Sequence, residues 1–132
     1  MFISINTKKL GNQIENLVCD YLRKQKLKLI ARNYACRLGE IDLIMQDQST
    51  LIFIEVRYRQ HLNFGSSLES VNSIKQNKII KAAEYYLLSQ QLSEQMACRF
   101  DVVGVKPLQQ KIGSISKLDS AQVEWIKNAF SR

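Results

Sequence analysis

Two apolar runs interrupted by acids constrain this chain more than any other feature. Gly39-Glu40-Ile41-Asp42-Leu43-Ile44 and Phe53-Ile54-Glu55-Val56-Arg57 flank Asp47-Gln48-Ser49-Thr50. The short polar stretch reads as a turn, and the runs read as the arms of a β-hairpin. A hairpin symmetric about that turn sets Ile41 opposite Val56, Leu43 opposite Ile54 and Met45 opposite Ile52, a wholly apolar face. Its other face pairs Ile44 with Phe53, Asp42 with Glu55 and Glu40 with Arg57. Strands apolar on both faces belong in a sheet covered on two sides. Two carboxylates directly across a sheet repel unless a cation lies between them. The hairpin therefore predicts a covered central sheet with a charged site at its margin.

The flanking segments supply the cover. Over residues 7–25, Leu10, Ile14, Leu17, Val18, Tyr21 and Leu22 recur at the helical period, with Asn6 or Thr7 as cap. Glu15 falls at the edge of that apolar stripe. Leu27–Ala31 reads as a first strand and Asn33–Leu38 as its connection to the hairpin. His61–Ser70 reads as a loop. Residues 72–90 form a second amphipathic helix, with Ile74, Ile79, Ala82, Ala83, Tyr86 and Leu87 inward. Cys98–Val105 is a strand, 107–120 a loop, Val123–Ile126 a short last strand and Asn128–Arg132 a frayed tail. The order is α-β-β-β-α-β-β, an α/β domain with a mixed sheet flanked by helices. One domain of 132 residues is expected, with its core over about 7–130.

Charge narrows the partners. With 19 basic against 12 acidic residues, the formal charge is +7, and a basic small domain is drawn to polyanions, of which nucleic acid is the usual one. No run is long enough to span a membrane, and Met1–Asn6 is too short for a signal peptide, so a cytoplasmic protein is expected. Cys19, Cys36 and Cys98 are odd in number and widely spaced, which suits reduced thiols rather than zinc.

Asp42, followed on the neighbouring strand by Glu55-x-Arg57, suits phosphodiester hydrolysis. Carboxylates are hard oxygen ligands for Mg²⁺ or Mn²⁺. Arg57, two residues after Glu55, projects from the same face and is placed to hold a phosphate. Glu15 could complete the metal shell.

The motifs Gly39-Glu40-Ile41-Asp42-Leu43-Ile44, Phe53-Ile54-Glu55-Val56-Arg57-Tyr58-Arg59 and Arg99-Phe100-Asp101-Val102-Val103 resemble the bacterial YraN family. The resemblance covers about Leu10 to Phe130. It implies the restriction-endonuclease-like fold of the PD-(D/E)xK nucleases, whose relatives include Holliday-junction resolvases. By position, Glu15 resembles the first-helix glutamate, Asp42 the metal-binding aspartate and Glu55 the glutamate of the E-x-K signature. Arg57 stands where that signature has lysine, and arginine cannot give up its proton to act as a base. A second-helix lysine, Lys75 or Lys78, could replace it in space.

The expected function is therefore a metal-dependent endonuclease acting on DNA, branched or damaged DNA included. The alternatives are a catalytically weak or inactive nucleic-acid-binding module of the same fold, and a protein-interaction subunit. Arg57, Arg59, Lys75, Lys78 and Lys28 are the candidate nucleic-acid contacts. The resolvase likeness implies a homodimer, since symmetric cutting of two strands needs two sites. Elsewhere, Glu40 is expected to pair with Arg57, Asp101 to pair with Arg99 or to cap a neighbour, His61 to be solvated, and Tyr85, Tyr86 and Trp125 to pack.

Overall fold

In a computed structural model, which describes residues 7–59, 66–93 and 95–132, the elements follow the expected order. They are α1 (Thr7–Lys24), β1 (Lys28–Cys36), β2 (Gly39–Asp47), β3 (Thr50–Tyr58), α2 (Ser73–Ser89), β4 (Cys98–Val105) and β5 (Val123–Phe130). The strands form one five-stranded sheet in sequence order. All neighbours are antiparallel except β3 and β4, which run parallel and are joined through α2. A parallel pair requires such a crossover, because a tight turn cannot return the chain to the same end.

Alternation along β3 explains why both faces are covered. Ile52 and Ile54 pack with Ile14, Leu17, Val18 and Leu22 of α1. Leu51 and Phe53 point the other way and pack with Ile79, Ala82, Ala83, Tyr86 and Leu87 of α2. Each buried Ile, Leu, Val or Phe among them stabilises the fold by about 1.5–3 kcal/mol relative to exposure. The sheet is thus a septum between two helices. Asn72 starts α2 by accepting the Lys75 amide on its side chain at 2.9 Å.

Several expectations need correction. The stretch 33–36 is not a connection, because β1 continues to Cys36, opposite Gly39. β5 is not a stub with a frayed tail but a strand reaching Phe130. The buried Asp101 explains this: its carboxylate accepts the Asn128 amide and the Trp125 indole N–H, each at 2.9 Å, and the Arg99 Nε. The two roles expected for Asp101 are both present. Ile74 is 66% exposed and Tyr85 48% exposed, so neither is a core residue. The expected cap at Asn6, and His61 in its loop, lie outside the described residues. Among the described residues no helix is long and apolar enough to cross a membrane.

A further correction concerns Ile41. Residues two apart on a regular strand share a face, yet Leu43 packs on the α1 side and Ile41 on the α2 side. Tyr34, opposite Ile41, also lies on the α2 side, although Arg32 is opposite Leu43. Alternation slips on both strands between these pairs. Asn33 sits there with φ of 51°, a left-handed conformation that asparagine tolerates better than most residues. Asp42 is the residue at the slip on β2.

Candidate active site at a strand fork

The hairpin register is the expected one, from Asp47/Thr50 through to Leu43/Ile54, and there the ladder stops. Beyond it the Val56 amide donates to the Asp42 side chain, at 2.8 Å from Oδ2. Asp42 therefore replaces a strand partner at the point where β2 and β3 part. The Asp42 and Glu55 carboxyl groups lie within hydrogen-bond reach of each other. The two acids meet as expected, though at a fork rather than across a continued ladder.

Burial and repulsion set their electrostatics. Desolvation, then the Glu55 carboxyl beside it, pushes the Asp42 pKa up to about 8, with the Val56 amide pulling weakly the other way. Glu55 is only 4% exposed. The Lys75 ammonium lies 2.8 Å from its Oε2, an ionic contact off the hydrogen-bonding direction, which leaves that oxygen without a true donor. Lys75 comes from the first turn of α2. Gly39 makes this approach possible: a Cβ there would stand 2.6 Å from the Lys78 carbonyl oxygen. Glycine at the start of β2 lets the α2 backbone close on the fork.

Two clefts flank Asp42. One, of about 460 Å³, is lined by Glu40, Asp42, Glu55, Asn72, Lys75 and Lys78. The other, of about 430 Å³, is lined by Lys8, Asn12, Glu15, Asn33, Glu40 and Asp42. Burial raises the Glu15 pKa, while Arg32 and then Asn33 oppose it. Asn33 is within reach of that carboxylate, yet Glu15 Oε1 is enclosed with no donor on it.

The donor chemistry fits a divalent ion. Mg²⁺ is commonly bound through one or two carboxylates, with water filling the remaining positions, and Asp42 and Glu55 offer such a pair. Among the described residues no three acid, histidine or cysteine side chains converge closely enough to hold an ion.

The candidate phosphate-binding residues divide. Arg57 shares the Glu55 face, but its Nε donates to Ser70 Oγ at 2.9 Å, and no ion pair with Glu40 forms. The diverging strands carry Glu40 and Arg57 apart, which corrects the expected rim pair. Arg59 lies 3.9 Å from Glu124. Lys28 is opposite Gln46, four residues along β2 from Asp42 and roughly 13 Å away along the strand. Lys75 and Lys78 reach the fork.

Sequence reasoning missed the group that holds Arg57. Ser70 donates to the Ser67 carbonyl at 2.5 Å, and the Ser67 amide donates to Glu124 at 2.7 Å, holding the Glu124 carboxyl below its usual range. Ser67 is buried against Gly104, where any Cβ would collide with its hydroxyl. A lone glycine inside a strand signals close backbone approach, and Gly104 is that signal.

The five-stranded sheet between two helices defines a mixed α/β protein consistent with a nuclease-like fold. The chain belongs to the Uncharacterised protein family UPF0102, the YraN family, whose profile matches residues 14–105. That span contains Glu15, Asp42, Glu55, Arg57 and Lys75. A UPF0102 protein of Nitrosococcus oceani is 43% identical over 120 residues, covering 91% of this chain and 90% of the relative. One from Coxiella burnetii is 42% identical over 124 residues (94% and 93%). One from Legionella pneumophila is 41% identical over 124 residues (94% and 96%).

Proposed function

We propose that this protein is a metal-dependent endonuclease acting on DNA, with Mg²⁺ or Mn²⁺ held by Asp42 and Glu55. One observation carries the reading: the buried Glu55 carboxylate and the Asp42 side chain meet at the fork, and among the described residues the one ammonium in ionic contact with them is that of Lys75, 2.8 Å from Glu55 Oε2. A divalent ion between the two acids would relieve the repulsion that one ammonium meets only at Glu55. A bound divalent ion would neutralise phosphate charge and acidify a water. Glu15, across the second cleft from Asp42, adds negative charge to the same region. Arg57 keeps its two Nη groups for the phosphate while Ser70 holds Nε. The net charge of +7 draws the polyanion in. Branched or damaged DNA is the proposed substrate form, and a homodimer would present two such forks to two strands.

The second reading is a nucleic-acid-binding module without cleavage, favoured by an arginine at the signature position. Incubation of plasmid and four-way-junction DNA with Mg²⁺ or Mn²⁺ separates the two. The endonuclease reading expects nicked or linear product from the wild type and none from Asp42→Ala. Salt-sensitive binding without product leaves only the module.

A further inference from the structure

We propose that Lys75, delivered from α2, is the catalytic lysine of this site, and that Arg57 binds phosphate beside it. The inference rests on the endonuclease reading and deepens it. Three observations carry it. The Lys75 ammonium reaches within 2.8 Å of Glu55 Oε2, inside the cleft that Asp42 and Glu55 line. Its side chain is 46% exposed against 5% for that of Glu55, so it spans from solvent to the buried acid. Arg57, at the signature position, is instead tethered through Nε to Ser70, which is itself anchored to Ser67. The guanidinium is thus drawn toward the 3₁₀ turn at Ser67–Ser70, and the only ammonium in ionic contact with a fork carboxylate, among the described residues, is that of Lys75.

The position suits a mobile charge. Lysine is a compact point charge on a flexible stem with three donors. A cation between Asp42 and Glu55 would take over the charge compensation that Lys75 gives Glu55, and the ammonium would swing to the phosphate. In hydrolysis a bond forms from a water oxygen to phosphorus, and the bond from phosphorus to the leaving sugar oxygen breaks. The water loses a proton to solvent and the leaving oxygen gains one from solvent. Lys75 supplies no proton; its N–H groups meet the negative charge that grows on the non-bridging phosphate oxygens. Gly39 contributes by letting the α2 backbone at Lys78, one turn beyond Lys75, approach the fork.

The test uses the full chain with Mn²⁺ and junction or plasmid DNA, comparing wild type, Lys75→Met, Lys75→Gln, Arg57→Lys and the double variant Arg57→Lys/Lys75→Met. Loss of a donor aimed at transition-state charge lowers kcat by about 100-fold, so both single Lys75 variants should fall that far with KM within about threefold. Their urea midpoints should fall, because the variants leave the buried Glu55 carboxylate without its ammonium, so the rates are compared at a urea-free temperature where each variant is folded. Lysine placed at position 57 in the double variant should recover at least about tenfold of the lost kcat, because a compact, flexible ammonium then replaces the Ser70-tethered guanidinium on the same sheet face. Wild-type rates in the Lys75 variants, or no recovery in the double variant, would overturn the assignment. A wild type that cuts no better than Asp42→Ala would instead overturn the endonuclease reading, and this inference with it.

Discussion

The Val56 amide donates to the Asp42 carboxylate at 2.8 Å, across a gap where β2 and β3 no longer pair. A side chain here does the work of a backbone carbonyl. The bond orients Asp42 toward Glu55, and it does so in a site whose acids repel each other. Function is thereby set against stability at one residue.

Asp42→Asn should show that opposition as a pH dependence. In the unfolded chain an aspartate titrates near 3.9, whereas in the fold Asp42 holds its proton up to about 8. The stability associated with that proton is full below the unfolded value. It drains as pH rises through the folded value, at up to about 1.4 kcal/mol per unit. Urea unfolding in chelator should therefore give a lower midpoint at pH 9 than at pH 5 for the wild type. The asparagine variant keeps an acceptor for Val56 and should show a flatter profile, with the higher midpoint of the two at pH 9. Added Mn²⁺ should raise the wild-type midpoint and leave the variant unmoved.

Gly39→Ala should loosen the site from behind. The new methyl would stand 2.6 Å from the Lys78 carbonyl oxygen, a contact with backbone that no rotamer relieves. Overpacking of this kind costs about 1–3 kcal/mol, readable as a lower urea midpoint. The first half of α2 must retreat, carrying Lys75 from Glu55, so any cleavage rate should fall more than stability alone explains. An unchanged midpoint would show that β2 and α2 slide apart freely.

Asp101→Ala should be among the most damaging single changes away from the fork. It removes the acceptor for Arg99, for the Trp125 indole and for the Asn128 amide, all inside the sheet. Deleting one partner of a buried ion pair costs about 3–5 kcal/mol. The thermal midpoint should drop, and the amide of Asn128 should exchange with deuterium at the rate of an open strand end. A variant whose Asn128 amide stays protected would show that strand pairing alone holds β5.

Much of this architecture was legible before any coordinates. The periodicity of α1, the β-branched run of β4 and the hairpin register about Asp47–Thr50 are local patterns, and each is present as expected. Boundaries fared worse where a distant partner decides them. β5 reaches Phe130 because Asp101, over twenty residues upstream, binds its backbone. Ile74 fits the inward period of α2 yet stands exposed beside the cleft, since the first turn overhangs the fork instead of the core.

At the site, the acidic residues, their adjacency and the shared face of Glu55 and Arg57 follow from side-chain alternation at period two, which β3 keeps. Three things depend on elements brought together from far along the chain. The slip at Asn33 leaves Asp42 lining the clefts on both sides, the Ser67–Ser70 turn seated on Gly104 draws off Arg57, and the close approach of α2 to Gly39 sets Lys75 on Glu55. Local periodicity carries no information about such contacts, because they are settled by how the layers pack, and that is why the tertiary structure alone decides which cation attends the acids.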